Sequence, residues 1–144
     1  MPDSYVLDAS VVVRWFLPEQ DAGGHAQWLL GLVLAEDIIA VAPRNLVYEF
    51  CGVIVKEFRR KRKPLSEAID AFRKFLGIPI RYVESDSLIE GAIRLSFLHG
   101  KRFYDMYYFS VGEQEEIRVC TADENSVASV GPGFPPHVLL RNLV

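Results

Sequence analysis

Short apolar segments alternate with longer amphipathic ones along the whole chain, and this alternation restricts the fold more than any other feature of the sequence. Tyr5-Val6-Leu7 reads as a buried strand. Further strands are expected over residues 38–42, 80–83 and 117–121, with a last one over 138–140. Helices are expected between them. A short one over 10–16 is stopped by Pro18, and one over 26–35 is weakened at its start by Gly23-Gly24. A long helix over 45–60 carries Leu46, Phe50, Ile54 and Phe58 at a spacing of four. Ser66 is placed to cap a helix over 66–75, and His99-Gly100 to close one over 85–98. Residues 104–113 and 123–128 complete the set, with 131–136 as a loop. Strands joined through helices require right-handed crossovers. The expected fold class is therefore α/β, a three-layer α/β/α arrangement with a mainly parallel central sheet. No repeat or linker divides the chain, so residues 1–144 read as a single domain. Such a sheet places its working site beyond the carboxyl ends of its strands.

Composition narrows the function. With 50% apolar and 24% charged residues, the chain can bury a real core and is not a disordered or low-complexity segment. The richest apolar stretch, residues 28–35, is cut by Glu36 and Asp37, short of the roughly 18 residues a membrane span needs. Met1-Pro2-Asp3 lacks the basic start of a secretory signal. Cys51 and Cys120 form no metal or redox spacing and read as buried free thiols. Together these features point to a reducing, cytoplasmic setting.

Four acids stand where the topology directs attention. Asp8 ends the first strand and Asp123 the fourth. Asp105 opens a helix after Lys101-Arg102, and Glu49 interrupts the apolar run from Leu46 to Cys51. Each has an ordinary structural role open to it. Asp8, Asp105 and Asp123 can cap helices, and Glu49 can lie on the solvated edge of its own. Taken jointly, four carboxylates converging on one crevice repel one another and call for a hard divalent cation, Mg²⁺ or Mn²⁺. Such a site activates water and neutralises charge on a phosphodiester. His25, His99 and His137 fit no zinc spacing, and no phosphate-cradling Gly-rich loop is present.

These residues resemble a known family. Residues 5–16, Tyr-Val-Leu-Asp-Ala-Ser-Val-Val-Val-Arg-Trp-Phe, look like the opening of a PIN domain, specifically the VapC-like toxin ribonucleases of type II toxin–antitoxin pairs. Asn45-Leu46-Val47-Tyr48-Glu49-Phe50 resembles the second acidic motif. Phe103-Tyr104-Asp105-Met106-Tyr107-Tyr108 resembles the third, a Tyr-Asp-x-x-Tyr pattern opening a helix, and Thr121-Ala122-Asp123-Glu124 the fourth. The resemblance implies metal-dependent RNA hydrolysis. Asp8 and Asp105 would be the most direct Mg²⁺ ligands, with Glu49 and Asp123 completing the acidic pocket, partly through water. Ser10 and Thr121 fall within motifs one and four, where their hydroxyls can orient a metal-bound water or serve caps and strands. A small antitoxin inserting into the acidic groove, and a homodimer, are implied as well. One departure is the bulky run Met106-Tyr107-Tyr108-Phe109, where family members often carry small residues; it reads as a packing variation.

A net charge of −3 argues mildly against nucleic acid, but setting the four acids aside takes it to +1. Bound metal would supply the local positive charge. Arg14, Lys101 and Arg102 flank the acids and are the candidates for RNA backbone contact. The cluster Lys56, Arg59, Arg60, Lys61, Arg62 and Lys63 reads equally as a phosphate-binding ridge or as a solvated helix end complementing the dipole. The aromatic residues mostly follow core spacing and give no sign of base stacking. Two other functions suit the same scaffold. One is a non-catalytic module binding RNA or protein. The other is a receiver-type phosphoacceptor, which needs an acid after the third strand, with Asp86 nearest, and a late Lys; no Lys follows Lys101.

Overall fold

The computed structural model describes residues 2–143. Five strands form one sheet: β1 (Asp3–Leu7), β2 (Ile38–Pro43), β3 (Ile80–Val83), β4 (Arg118–Thr121) and β5 (His137–Leu139). Their order is β3-β2-β1-β4-β5, and every neighbouring pair is parallel. The chain steps outward from β1 to β3, then returns to the other side of β1. The reversal lies between β1 and β4, where Leu7 pairs with Cys120. That is the topological switch point at which open parallel sheets hold their ligands.

Among the described residues, seven α-helices surround the sheet: α1 (Ala9–Val12), α2 (His25–Leu34), α3 (Leu46–Arg60), α4 (Leu65–Leu76), α5 (Asp86–His99), α6 (Phe103–Glu115) and α7 (Glu124–Val127). Helix α6 touches β1, β2 and β4, and α5 packs against it. Helix α6 is therefore buried nearly all round, from Met106 to Gly112, which accounts for the bulky run after Asp105. Helices α1 and α2 touch β4 and β2. Beyond them α3 and α4 pack through Phe50 and Phe75, whose rings stack at 4.2 Å. Phe16 meets Phe50 edge-on at 5.0 Å, closing this part of the core. The spacing of Leu46, Phe50, Ile54 and Phe58 does mark the buried face of α3.

Several local expectations need correction. The helix expected over 10–16 breaks into α1 and a 3-10 turn, Val13–Trp15. Three consecutive valines are poor helix formers, and Leu17, preceding Pro18, leaves the helical region at φ −126°, ψ 73°. Ser66 does not cap α4. The helix starts one residue earlier, behind extended Pro64, and Ser66 lies within its first turn. Ser85, by contrast, caps α5 by accepting from Leu88 N, and Gly100 ends that helix at φ 63°. Cys120 is buried as expected, whereas Cys51 is only half-buried. Strand β3 is an edge strand with β2 between it and β1, so Asp86 does not join Asp8, and the receiver-type arrangement is absent. No helix among the described residues is long and apolar enough to cross a membrane.

Candidate active site

All four candidate acids stand at the start of a helix. Asp8 is the N-cap of α1 and Asp123 that of α7, while Glu49 and Asp105 lie in the first turns of α3 and α6. The partial positive charge of a helix start favours a carboxylate there. The capping roles open to Asp8 and Asp123 are thus real, and they fix both side chains beside the β1–β4 reversal.

Asp8 is almost fully buried at 8% exposure. Its Oδ1 accepts from the Ser10 amide at 3.1 Å and from the Ser10 hydroxyl. The same hydroxyl accepts from Ala122 N at 2.9 Å and lies 3.3 Å from Thr121 Oγ1. Thr121 Oγ1 in turn accepts from Asp123 N at 3.0 Å. Ser10 and Thr121 therefore stitch the end of β1 to the end of β4 and set the backbone on which Asp8 and Asp123 stand.

Glu49 is held from two sides. Asn45 Nδ2 donates to its Oε1 at 2.6 Å, and Tyr108 Oη donates to the same oxygen at 3.2 Å. Glu49 is half-buried, so the solvated-edge role does not describe it. Asn45 Oδ1 is a buried oxygen without a hydrogen-bond partner. An open cleft of about 550 Å³ adjoins these groups, lined by Asn45, Tyr48, Glu49, Arg102, Tyr104 and Asp105.

Electrostatics tie the acids together. Burial pushes Asp8 up to about 6, against the pull of the Ser10 and Thr121 hydroxyls, with Asp105 adding repulsion. Burial likewise pushes Glu49 up to about 7, and Asp105 and Asp8 both repel it. Asp105 is raised by burial first and by Asp123, against the attraction of Arg102 and Lys101. Each acid is thus within electrostatic range of another.

The donor set suits a hard, oxygen-seeking cation: it is all carboxylate, with one orphaned amide oxygen beside Glu49. It is not a preformed cage. No three His, Cys, Asp or Glu side chains among the described residues stand close enough in this arrangement to hold one ion. Unneutralised carboxylates repel, and Ser10, Asn45 and Tyr108 hold two of them where they are.

The three basic candidates part company. Arg102 lines the acidic cleft. Lys101 does not reach into it; its Nζ donates to Asn125 O at 2.9 Å and Ala128 O at 2.6 Å, holding the α7 turn. Arg14 lines a separate cleft of about 250 Å³ with Asp21, His25, Glu124 and Arg141. In the basic cluster, Arg60 pairs with Glu57, Lys61 with Glu19 and Lys63 with Glu67. Half of that ridge is therefore neutralised by nearby carboxylates.

Asn45, Tyr48, Tyr104 and Tyr108 lie within motifs two and three, but the sequence assigned none of them a role of its own. Asn45 is legible in hindsight, four residues before Glu49 on one helix face. Tyr108 is not, because its partner lies on another helix. Tyr48 and Tyr104 are exceptions among the aromatics, which mostly follow core spacing: they are 75% and 60% exposed, on the cleft rather than in the core.

A family model described as PIN domain matches residues 5–131. The crystal structure of PAE2754 from Pyrobaculum aerophilum superposes with a TM-score of 0.67 at 22% identity, covering 99% of this chain and 95% of that one. A toxin-antitoxin complex from Klebsiella pneumoniae gives a TM-score of 0.60 at 12% identity, covering 94% and 97%. No curated protein matches the chain.

Proposed function

Because the chain belongs to the PIN domain family, whose members are generally nucleases, we propose that it is a metal-dependent endoribonuclease and the toxin of a toxin–antitoxin pair. The observation that carries this reading is the placement of Asp8 and Asp123 at the β1–β4 switch point, with Asp105 and Glu49 in electrostatic range of them.

Asp8, Asp105, Glu49 and Asp123 would hold Mg²⁺ or Mn²⁺, some of them through water. When bound, the cation supplies positive charge to the phosphodiester and makes water a better nucleophile at neutral pH. The chain's own residues prepare for this. Ser10 fixes Asp8 Oδ1, and Asn45 and Tyr108 fix Glu49 Oε1. Arg102, at the mouth of the cleft, is placed to meet an RNA phosphate. Arg14 remains a candidate for backbone contact from its neighbouring cleft, and Lys101 acts through the α7 turn instead.

The antitoxin partner draws support from the Klebsiella pneumoniae complex, which shares the fold. The row Ile89, Ile93 and Phe97 on α5 is exposed, and supports a protein contact such as the homodimer. A cytoplasmic setting goes with RNA as substrate. The second reading, a non-catalytic RNA- or protein-binding module, is favoured by the absence of a preformed three-ligand cage among the described residues. Cleavage of RNA with Mg²⁺ or Mn²⁺ separates the two. Asp8→Asn and Asp105→Asn should abolish cleavage and leave the circular dichroism spectrum unchanged; full cleavage by either variant would overturn the enzymatic reading.

A further inference from the structure

Tyr48 and Tyr104 each immediately precede one of the acids, Glu49 on α3 and Asp105 on α6. Successive helix residues point about 100° apart, given roughly 3.6 residues per turn. In each pair the carboxylate is half-buried while the ring stays in solvent on the same cleft. Neither ring serves the core. Tyr48 lies off the buried row of α3, and Tyr104 meets Phe103 edge-on at 5.4 Å. Neither is charged, and Arg102 shares their cleft.

We propose that Tyr48 and Tyr104 form a stacking site for an unpaired RNA base, with Arg102 meeting the adjoining phosphate. This rests on the reading of the cleft as an RNA site and adds which part of the strand it grips. An aromatic face offers stacking to any base, so the site selects single-stranded over duplex RNA without reading sequence. A base seated there carries its phosphates towards Glu49 and Asp105, the neighbours of the two rings. A protein partner would find the same two rings, but their position beside an acidic cleft and an arginine suits a strand bearing both phosphates and bases.

The test compares two ligands, with Ca²⁺ in place of Mg²⁺ to keep strands uncut. One is a fluorescent single-stranded oligoribonucleotide, the other an abasic ribose-phosphate chain of equal length. Tyr48→Ala and Tyr104→Ala should each weaken binding of the base-bearing strand by roughly tenfold. Binding of the abasic chain should change less than twofold, and the two Tyr→Phe variants should bind like wild type. Equal losses on both ligands, or none on either, would overturn the stacking site alone. Wild type that binds neither ligand would overturn it together with the RNA reading beneath it.

Discussion

Tyr108 Oη on α6 donates to Glu49 Oε1 on α3 across 3.2 Å, linking two helices through a side-chain hydrogen bond at the candidate site. The phenol is a permanent donor, because burial and the Glu49 carboxylate push its ionisation far above the usual range. The bond in turn pulls Glu49 down towards its charged form.

Tyr108→Phe keeps the ring in place and deletes the donor. Glu49 should then ionise less readily than its present value of about 7 allows. Loss of a residue that orients a metal ligand typically lowers affinity by roughly 10-fold or more. Calorimetric titration with Mn²⁺ at pH 7 should show about that loss, with the melting temperature shifted by only a few degrees. Unchanged affinity would remove Glu49 from the ligand set.

Acid strength gives a second expectation, for metal-free protein. Asp8 and Glu49 bind protons more tightly when folded, at about 6 and about 7, than the ordinary 3.8 and 4.5 of the unfolded chain. Between those values the folded state holds more protons, so stability falls as pH rises. From pH 5 to pH 8 the loss through buried Asp8 is on the order of 1 kcal/mol, and Glu49, partly screened by solvent, adds to it in the same direction. Urea denaturation in chelator should show this decline. Asp8→Asn, whose amide oxygen still caps α1, should remove the Asp8 share and leave a shallower decline; an equally steep decline in the variant would contradict the burial cost assigned to Asp8.

Much of this architecture is legible in the sequence. The parallel α/β class followed from alternating segment types, and the positions of Asp8 and Asp123 from the rule about strand ends. What escaped were relationships between elements. Tyr108 meets Glu49 only because α6 and α3 converge, which no local pattern records. Lys101 looked like a site residue because it neighbours Asp105 in sequence, yet its reach is set by the α7 turn. The 3-10 turn after α1 escaped because periodicity does not report how weakly a run of valines holds a helix.

Proton release should accompany metal uptake. A cation among Asp8, Glu49 and Asp105 favours their charged forms, all three of which burial disfavours in its absence. Mn²⁺ affinity should therefore rise through pH 6 to 7. Titrations in two buffers of different ionisation enthalpy should give different apparent heats, with protons leaving the protein. Identical heats would place the ion elsewhere.

Lys101→Met separates a structural lysine from a substrate contact. The ammonium bridges the carbonyls of Asn125 and Ala128, and no acid is paired with it among the described residues. Hydrogen bonds to a charged group are worth about 1.5–3 kcal/mol each when buried and less in solvent. A stability loss of about 1–2 kcal/mol is expected, together with faster hydrogen exchange in residues 123–128. Arg102→Met should do the reverse, lowering RNA affinity while leaving exchange there unchanged.

Two glycines in helices should respond in opposite directions to the same substitution. Gly112 lies where α6 presses against β4. A Cβ there would stand 2.8 Å from Val119 Cγ2 and 2.9 Å from Ile117 O, and the second is a backbone atom that cannot swing aside. Gly112→Ala forces α6 off the sheet and should cost about 1–3 kcal/mol. Because α6 also carries Asp105 and Tyr108, the shift should weaken Mn²⁺ binding as well. Gly52 lies on the exposed face of α3 with nothing within 4 Å of its added Cβ. Gly52→Ala removes the entropy penalty of a helical glycine and should stabilise by about 0.5–1 kcal/mol, leaving metal binding untouched. Urea denaturation of both variants tests this. A Gly112→Ala protein as stable as wild type would mean that α6 does not approach β4 this closely.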